Sequence, residues 1–175
     1  MIFKEDLSEI DELFKKLFPI NRSITGNGVR DTLKILNDII PIKINEIASG
    51  TNVFDWKIPD EWNIKDGWIK NSKGEKIVDF RTNNLHILNY SEPVLKKITF
   101  EELFAHVYTL PSKPDLIPYR TSYYEKKWGF CMSHNTLLSL NKDDTYEVFI
   151  DSTFDENGSL TYGEIDIKGK GEKEY

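Results

Sequence analysis

Residues 29–45 read Val29-Arg30-Asp31-Thr32-Leu33-Lys34-Ile35-Leu36-Asn37-Asp38-Ile39-Ile40-Pro41-Ile42-Lys43-Ile44-Asn45, and they decide the fold class. Val29, Leu33, Leu36 and Ile40 recur at helical spacing and form one apolar face. Pro41 lacks an N–H and closes that helix. Ile42-Lys43-Ile44-Asn45 then alternates apolar and polar, the period of a strand. A helix feeding directly into a strand is an α/β opening. Upstream, Phe3, Leu7, Ile10, Phe14 and Leu17 mark an earlier helix with an apolar face, stopped by Pro19. The turn Thr25-Gly26-Asn27-Gly28 separates the two helices, and its amides offer an anion a place at the start of the second.

Downstream the texture changes. Residues 50–98 hold Trp56, Trp62 and Trp68 and little helical periodicity. Residues 66–70 and 75–80, joined by Asn71-Ser72-Lys73-Gly74, predict a β-hairpin, and residues 85–90 a further strand. Thr99 with Glu102 is a capping box that opens a helix, with Phe100, Leu103, Phe104 and Val107 as its buried face. Pro111, Pro114 and Pro118 mark an extended loop, and Ser122 with Glu125 predicts one more short helix. Residues 146–151 and 160–167 read as two closing strands, with Val148 and Ile150 on one face. The expected organisation is therefore α/β: residues 1–47 and 141–175 as the beginning of a three-layer domain, interrupted at 48–140 by an α+β insert with an antiparallel sheet. No helix follows the last strand to cover it, which leaves an exposed edge over residues 160–175, open to homo-oligomerisation.

The 175 residues carry 29 Asp and Glu against 23 Lys and Arg, a net charge of −6 that argues against nucleic acid and against an anionic membrane surface as partners. Aromatic residues at 13% supply enough bulk for a core. One cysteine, Cys131, excludes an internal disulfide. The start MIFKEDLSEI lacks the basic-then-apolar pattern of a signal peptide, and no stretch is long and apolar enough to span a bilayer, so a cytoplasmic location is expected.

Five groups of residues invite chemistry, each with a competing structural reading. Cys131 and His134 supply a thiol and an imidazole, yet Phe130 and Met132 flank the cysteine like a buried thiol. His86, His106 and His134 form no ligand pair at helical spacing, so a metal site would need convergence through the fold. Residues 153–164 track part of a calcium loop, but Thr153 stands where the first Asp belongs, and a hairpin turn needs the same Asp155, Asn157 and Gly158. Gly26-Asn27-Gly28 and Gly169-Lys170-Gly171 are incomplete phosphate loops. Trp56, Trp62, Trp68, Tyr119, Tyr123, Tyr124 and Trp128 offer flat rings to a glycan or peptide, or else fill a small sheet core. No catalytic set and no metal site emerges from the residues themselves; Trp128, Cys131 and His134 are the candidates for a substrate-side or reactive role.

Several stretches nevertheless carry a resemblance. They are residues 17–30 (LFPINRSITGNGVR), residues 53–64 (VFDWKIPDEWNI), Leu116-Ile117-Pro118-Tyr119, Ser122-Tyr123-Tyr124, Trp128-Gly129-Phe130-Cys131 and Asp151-Ser152-Thr153. In this order they resemble bacterial aminopeptidase-like proteins of the zinc exopeptidase superfamily that carry an inserted domain of unknown function. The resemblance covers essentially the whole chain. It implies a longer polypeptide whose zinc-ligand stretch, a His-Pro dipeptide and a nearby Asp, follows the last strand. The 175 residues contain no such stretch, so none of the family's ligands falls on a position here. The expectation is an N-terminal, truncated portion of a zinc aminopeptidase-like hydrolase, inactive alone and without a cofactor of its own. Peptides or amino-acylated small molecules are the substrates it implies for a full-length relative. The alternative is a stand-alone peptide- or glycan-binding module that uses the aromatic insert.

Overall fold

A computed structural model describes residues 4–123, 125–169 and 171. In chain order the elements are α1 (Lys4–Leu17), α2 (Asn27–Asn37), β1 (Lys43–Ala48), β2 (Asn52–Val53), β3 (Trp56–Lys57), β4 (Glu61–Lys70) and β5 (Lys76–Asp79). A 3-10 turn at Asn84–His86 leads to β6 (Val94–Thr99), α3 (Phe100–Ala105), β7 (Val107–Tyr108), β8 (Phe130–Cys131), α4 (His134–Ser139), β9 (Thr145–Asp155) and β10 (Ser159–Glu164). Phe3, Tyr124 and residues 172–175 lie outside the described residues. Among the described residues no helix is long and apolar enough to cross a membrane.

The core is built on a four-stranded antiparallel sheet in the order β5-β4-β9-β6. Period-two alternation does the sorting. Tyr146, Val148 and Ile150 of β9 all point inward and are buried, as the pattern of residues 146–151 predicts. They pack with Ile69, Val78 and Ile98 of the neighbouring strands and with Leu103, Phe130, Met132 and Leu137 from the segments that cover the inner face. The register between β4 and β9 slips between Ile64 and Asp66, a bulge that lets the long β4 twist. The predicted hairpin is present: β4 and β5 pair antiparallel through the turn at residues 71–74.

The sheet runs across the boundary expected at residues 140 and 141. β9 comes from the far side of that boundary and is hydrogen-bonded to both β4 and β6. The remaining strands, β1 and β10, form a separate two-stranded antiparallel ribbon, with Ile44 opposite Gly163. α2 packs on one face of it. A Cβ at Gly163 would stand 2.6 Å from Ile42 Cγ2 and 2.8 Å from Leu33 Cδ2, so any side chain there would press on both. The described structure thus has one helical layer on a two-stranded ribbon beside an antiparallel α+β unit.

Several local expectations change for identifiable reasons. α1 forms, but most of its apolar face is open: Leu7, Ile10 and Phe14 are exposed, and Leu17 is half-buried. α2 ends at Asn37 rather than Ile40, and β10 ends at Glu164 rather than 167. Residues 85–90 form no strand. Asn83 caps the 3-10 turn by accepting from Leu85 N, and only isolated bridges at Ile87 and Asn89 follow. The Thr99 cap holds, with its hydroxyl accepting from Glu102 N, but α3 is so short that Phe104 points outward and is 57% exposed. Ser122 does not cap a helix, because its hydroxyl donates to the carbonyls of Asn89 and Tyr90 instead. Residues 155–158 are a turn: Asn157 N and Gly158 N both donate to Asp155, which favours the hairpin reading over a calcium loop.

Candidate functional site

The chain's strongest polar cluster is a clasp between its two parts. Glu61, at the start of β4, is buried, and Arg30 of α2 grips it with two parallel N–H donors, one at 2.7 Å. The same guanidinium reaches Glu46 of β1 at 2.9 Å and Ser159 Oγ of β10 at 2.9 Å. Ser159 N and Asn63 Nδ2 complete the shell around the Glu61 carboxylate. The Arg30 hydrogen bond, opposed by burial, holds the Glu61 pKa down at about 2, and Arg30 is held more strongly protonated than usual. Every ligand of this carboxylate is accounted for, so the cluster joins α2, β1, β4 and β10 and leaves no group poised for chemistry.

Next to it lies an aromatic network. Tyr90 is buried in the left-handed region at φ +65°, a strained placement for a tyrosine. Its ring stacks on buried Trp62 at 5.6 Å, and its hydroxyl is hydrogen-bonded to Thr25 Oγ1 at 2.6 Å. Burial pushes the Tyr90 pKa up to about 12. The Trp62 indole N–H donates to the Ser91 carbonyl. Two clefts open on either side of this network. One, of about 310 Å³, is walled by Tyr90, Tyr123 and Phe154 with Asp60 and Lys126 at its rim. The other, of about 280 Å³, is walled by Phe18, Arg22, Asn89 and Tyr119. The hydroxyls of Tyr119 and Tyr123 lie 3.0 Å apart and link the two clefts. Burial, together with the Tyr123 hydrogen bond, raises the Tyr119 pKa to about 12.

The residues singled out from the sequence occupy other places. Cys131 is fully buried in β8, and burial raises its pKa to about 12, so it carries no thiolate at neutral pH. Its carbonyl oxygen pairs with Nδ1 of His86, whereas His134 Nδ1 pairs with Thr109 Oγ1. Trp128 is 9% exposed, and its ring stacks on His106 at 3.6 Å. Of the aromatic set, Trp62 and Trp128 are core residues. Trp68 lies against Phe149 with the Lys70 ammonium 4.0 Å above it, and Trp56 is half-buried with an unpartnered indole N–H. Tyr119 and Tyr123 reach the clefts, and Tyr124 lies outside the described residues. Of the Thr25–Gly28 amides, that of Asn27 is already taken, since Asn27 N donates to Asn63 Oδ1. Asn89, Tyr90, Arg30 and Glu61 escaped sequence reasoning. Their defining pairs, Arg30 with Glu61, Asn89 with Tyr119 and Tyr90 with Thr25, lie 30 or more positions apart, and no local spacing announces them.

Zinc is the metal that the resemblance implies. Among the described residues no three His, Cys, Asp or Glu side chains converge on a point that could hold a metal ion. These residues do not fit a zinc centre.

Comparison with known proteins fits this geometry. A protein from Clostridium acetobutylicum called "Putative polysaccharide biosynthesis protein with aminopeptidase-like domain" is 55% identical over 166 residues, which are 95% of this chain and 38% of that protein. A crystal structure of a "putative peptidase" from Clostridium acetobutylicum superposes with a TM-score of 0.85 at 54% identity, over 91% of this chain and 37% of that one. The chain therefore spans less than two-fifths of either relative. Residues 61–153, which hold β4, β5, β6 and all of β9 but its last two residues, match the family described as Domain of unknown function (DUF2172). That match covers more than half of the sequence, and the chain belongs to the DUF2172 family.

Proposed function

We propose that this chain is the N-terminal part of a zinc-dependent, aminopeptidase-like hydrolase of the cytoplasm, acting on peptides or amino-acylated small molecules and inactive without the remainder. The single observation that carries this reading is the 55% identity, over nearly the whole chain, to a protein named for an aminopeptidase-like domain. The ribbon supports it physically. Two strands alone make a marginal sheet, and Ile44, Tyr162, Ile165 and Ile167 are exposed on or just beyond them. Further strands and helices added there would build the three-layer domain. The zinc ligands, the metal-bound water and the general base would come from that added part; when bound, zinc would supply Lewis-acid activation of the water. The DUF2172 unit would then stand beside the cleft and restrict what enters it.

The test joins residues 1–175 to the part of the Clostridium relative that this chain does not span. Hydrolysis of aminoacyl p-nitroanilides is measured with zinc and after chelation. The expected result is zinc-dependent turnover by the joined protein and none by residues 1–175 alone. Metal-independent turnover, or turnover by the 175 residues alone, would refute the reading.

A further inference from the structure

We infer that the smaller cleft, between Phe18, Arg22, Asn89 and Tyr119, is a binding site for a single saccharide unit. The inference is independent of the peptidase reading and starts from one atom. Asn89 is 2% exposed, and its side-chain carbonyl oxygen has no hydrogen-bond donor among the described residues. Its Nδ2 group is occupied: it donates to the Arg22 carbonyl at 3.3 Å and to the Tyr119 hydroxyl at 3.0 Å. The Arg22 carbonyl, which can only accept, fixes which way the amide faces, because turning it over would set two oxygens against each other. Both acceptors belong to residues that wall the same cleft, so the amide head stands in that wall. A buried acceptor without a donor is costly, and a ligand hydroxyl is a donor of the right size.

The rest of the wall narrows the ligand class. Phe18 and Tyr119 expose 70% and 54% of their surfaces and present aromatic faces, on which the C–H face of a pyranose ring packs. The Arg22 guanidinium donates to the Leu17 carbonyl at 2.6 Å and has no carboxylate partner among the described residues, leaving N–H groups for hydroxyl, ring or acidic-sugar oxygens. No Asp or Glu lines the cleft, so an α-ammonium group would find no counter-charge there. That separates a sugar from a peptide amino terminus. The volume of about 280 Å³ accommodates one sugar ring. The Asn89 oxygen is itself covered, so a ligand hydroxyl would reach it with the Tyr119 side chain, in a segment with neither helix nor strand, swung aside.

The test is a titration of the 15N-labelled 175-residue chain, followed by NMR, with glucose, galactose, N-acetylglucosamine, rhamnose and glucuronate, and with glycylglycine as the peptide probe. At least one sugar is expected to shift the Asn89 side-chain amide and the backbone signals of Phe18 and Tyr119, saturably, with a Kd of about 1–10 mM. Phe18→Ala, an exposed position that leaves the core intact, is expected to weaken that binding about three- to tenfold. Tyr119→Phe removes only the hydroxyl that accepts from Asn89 Nδ2, and it is expected to change sugar affinity and to lower the thermal melt slightly. Absence of shifts with all five sugars overturns the inference. So does binding that Phe18→Ala leaves unchanged, or glycylglycine shifting the same signals at least as strongly.

Discussion

Replacing Arg30 by Met would leave Glu61 as a carboxylate inside the protein without its cation. The Glu61 pKa is held at about 2 against an ordinary 4.5, chiefly by Arg30. A shift of that size corresponds to roughly 3 kcal/mol of folding stability at neutral pH. Glu61 would keep Ser159 N and Asn63 Nδ2 as donors, so not all of it is lost. We expect Arg30→Met to cost about 2 kcal/mol at pH 7. Because the folded pKa lies below the unfolded one, the contribution is complete above about pH 4.5 and disappears as the pH falls towards 2. By pH 3 the gap between the variant and the unmodified chain should shrink by about half. Urea denaturation at pH 7 and pH 3 reads both numbers. A second variant, Arg30→Met with Glu61→Leu, removes both charges and should recover part of the loss. A cost below about 0.5 kcal/mol at pH 7, or an equal cost at both pH values, would refute the argument that this ion pair clasps the two parts together.

Three further outcomes follow from the packing. Leu103→Ala empties a fully buried position in α3 and should cost about 2–4 kcal/mol in urea denaturation, whereas Phe104→Ala, next to it but exposed, should cost less than about 1. Gly163→Ala would push its methyl against the ends of Ile42 and Leu33; those side chains can yield, so the cost should be about 1–2 kcal/mol, and a neutral result would show that α2 rests more loosely on the ribbon. Iodoacetamide should modify Cys131 only at the rate at which the protein opens, with modification accelerating through the urea transition; labelling within seconds in native buffer would contradict its burial.

What could be read from the sequence was whatever depends on near neighbours. The 3.6 and 2.0 periods locate α1, α2, β1, β9 and β10, and the Asn71–Gly74 turn gives the β4–β5 hairpin. The Thr99–Glu102 pair marks the start of α3 for the same reason, since a cap spans only one turn. Failures came where a side chain had a distant alternative. Ser122 has the spacing of a cap, but the carbonyls of Asn89 and Tyr90, more than 30 residues earlier, claim its hydroxyl. The grouping of strands failed to show likewise. β9 has the composition of a buried strand, and nothing within it names β4 and β6 as its neighbours. The clefts were the least legible part, because Asn89 meets Tyr119 and Arg22 only through tertiary folding, and an unpartnered amide oxygen leaves no mark in a sequence.

The order in which the strands are made has its own consequence. β4 and β6 cannot join until β9 lies between them, and β1 has no partner until β10 arrives, with Ile44 waiting for Gly163. A nascent chain leaving the ribosome therefore carries both halves of its sheet and a solitary N-terminal strand as unfinished edges until β9 and β10 have emerged. Such late closure makes the contacts non-local and the folding slow, and it exposes β1 to capture by other chains or by chaperones in the meantime. Stalling synthesis with about 150 residues outside the exit tunnel should leave a protease-sensitive chain, and extending past β10 should make it resistant in one step.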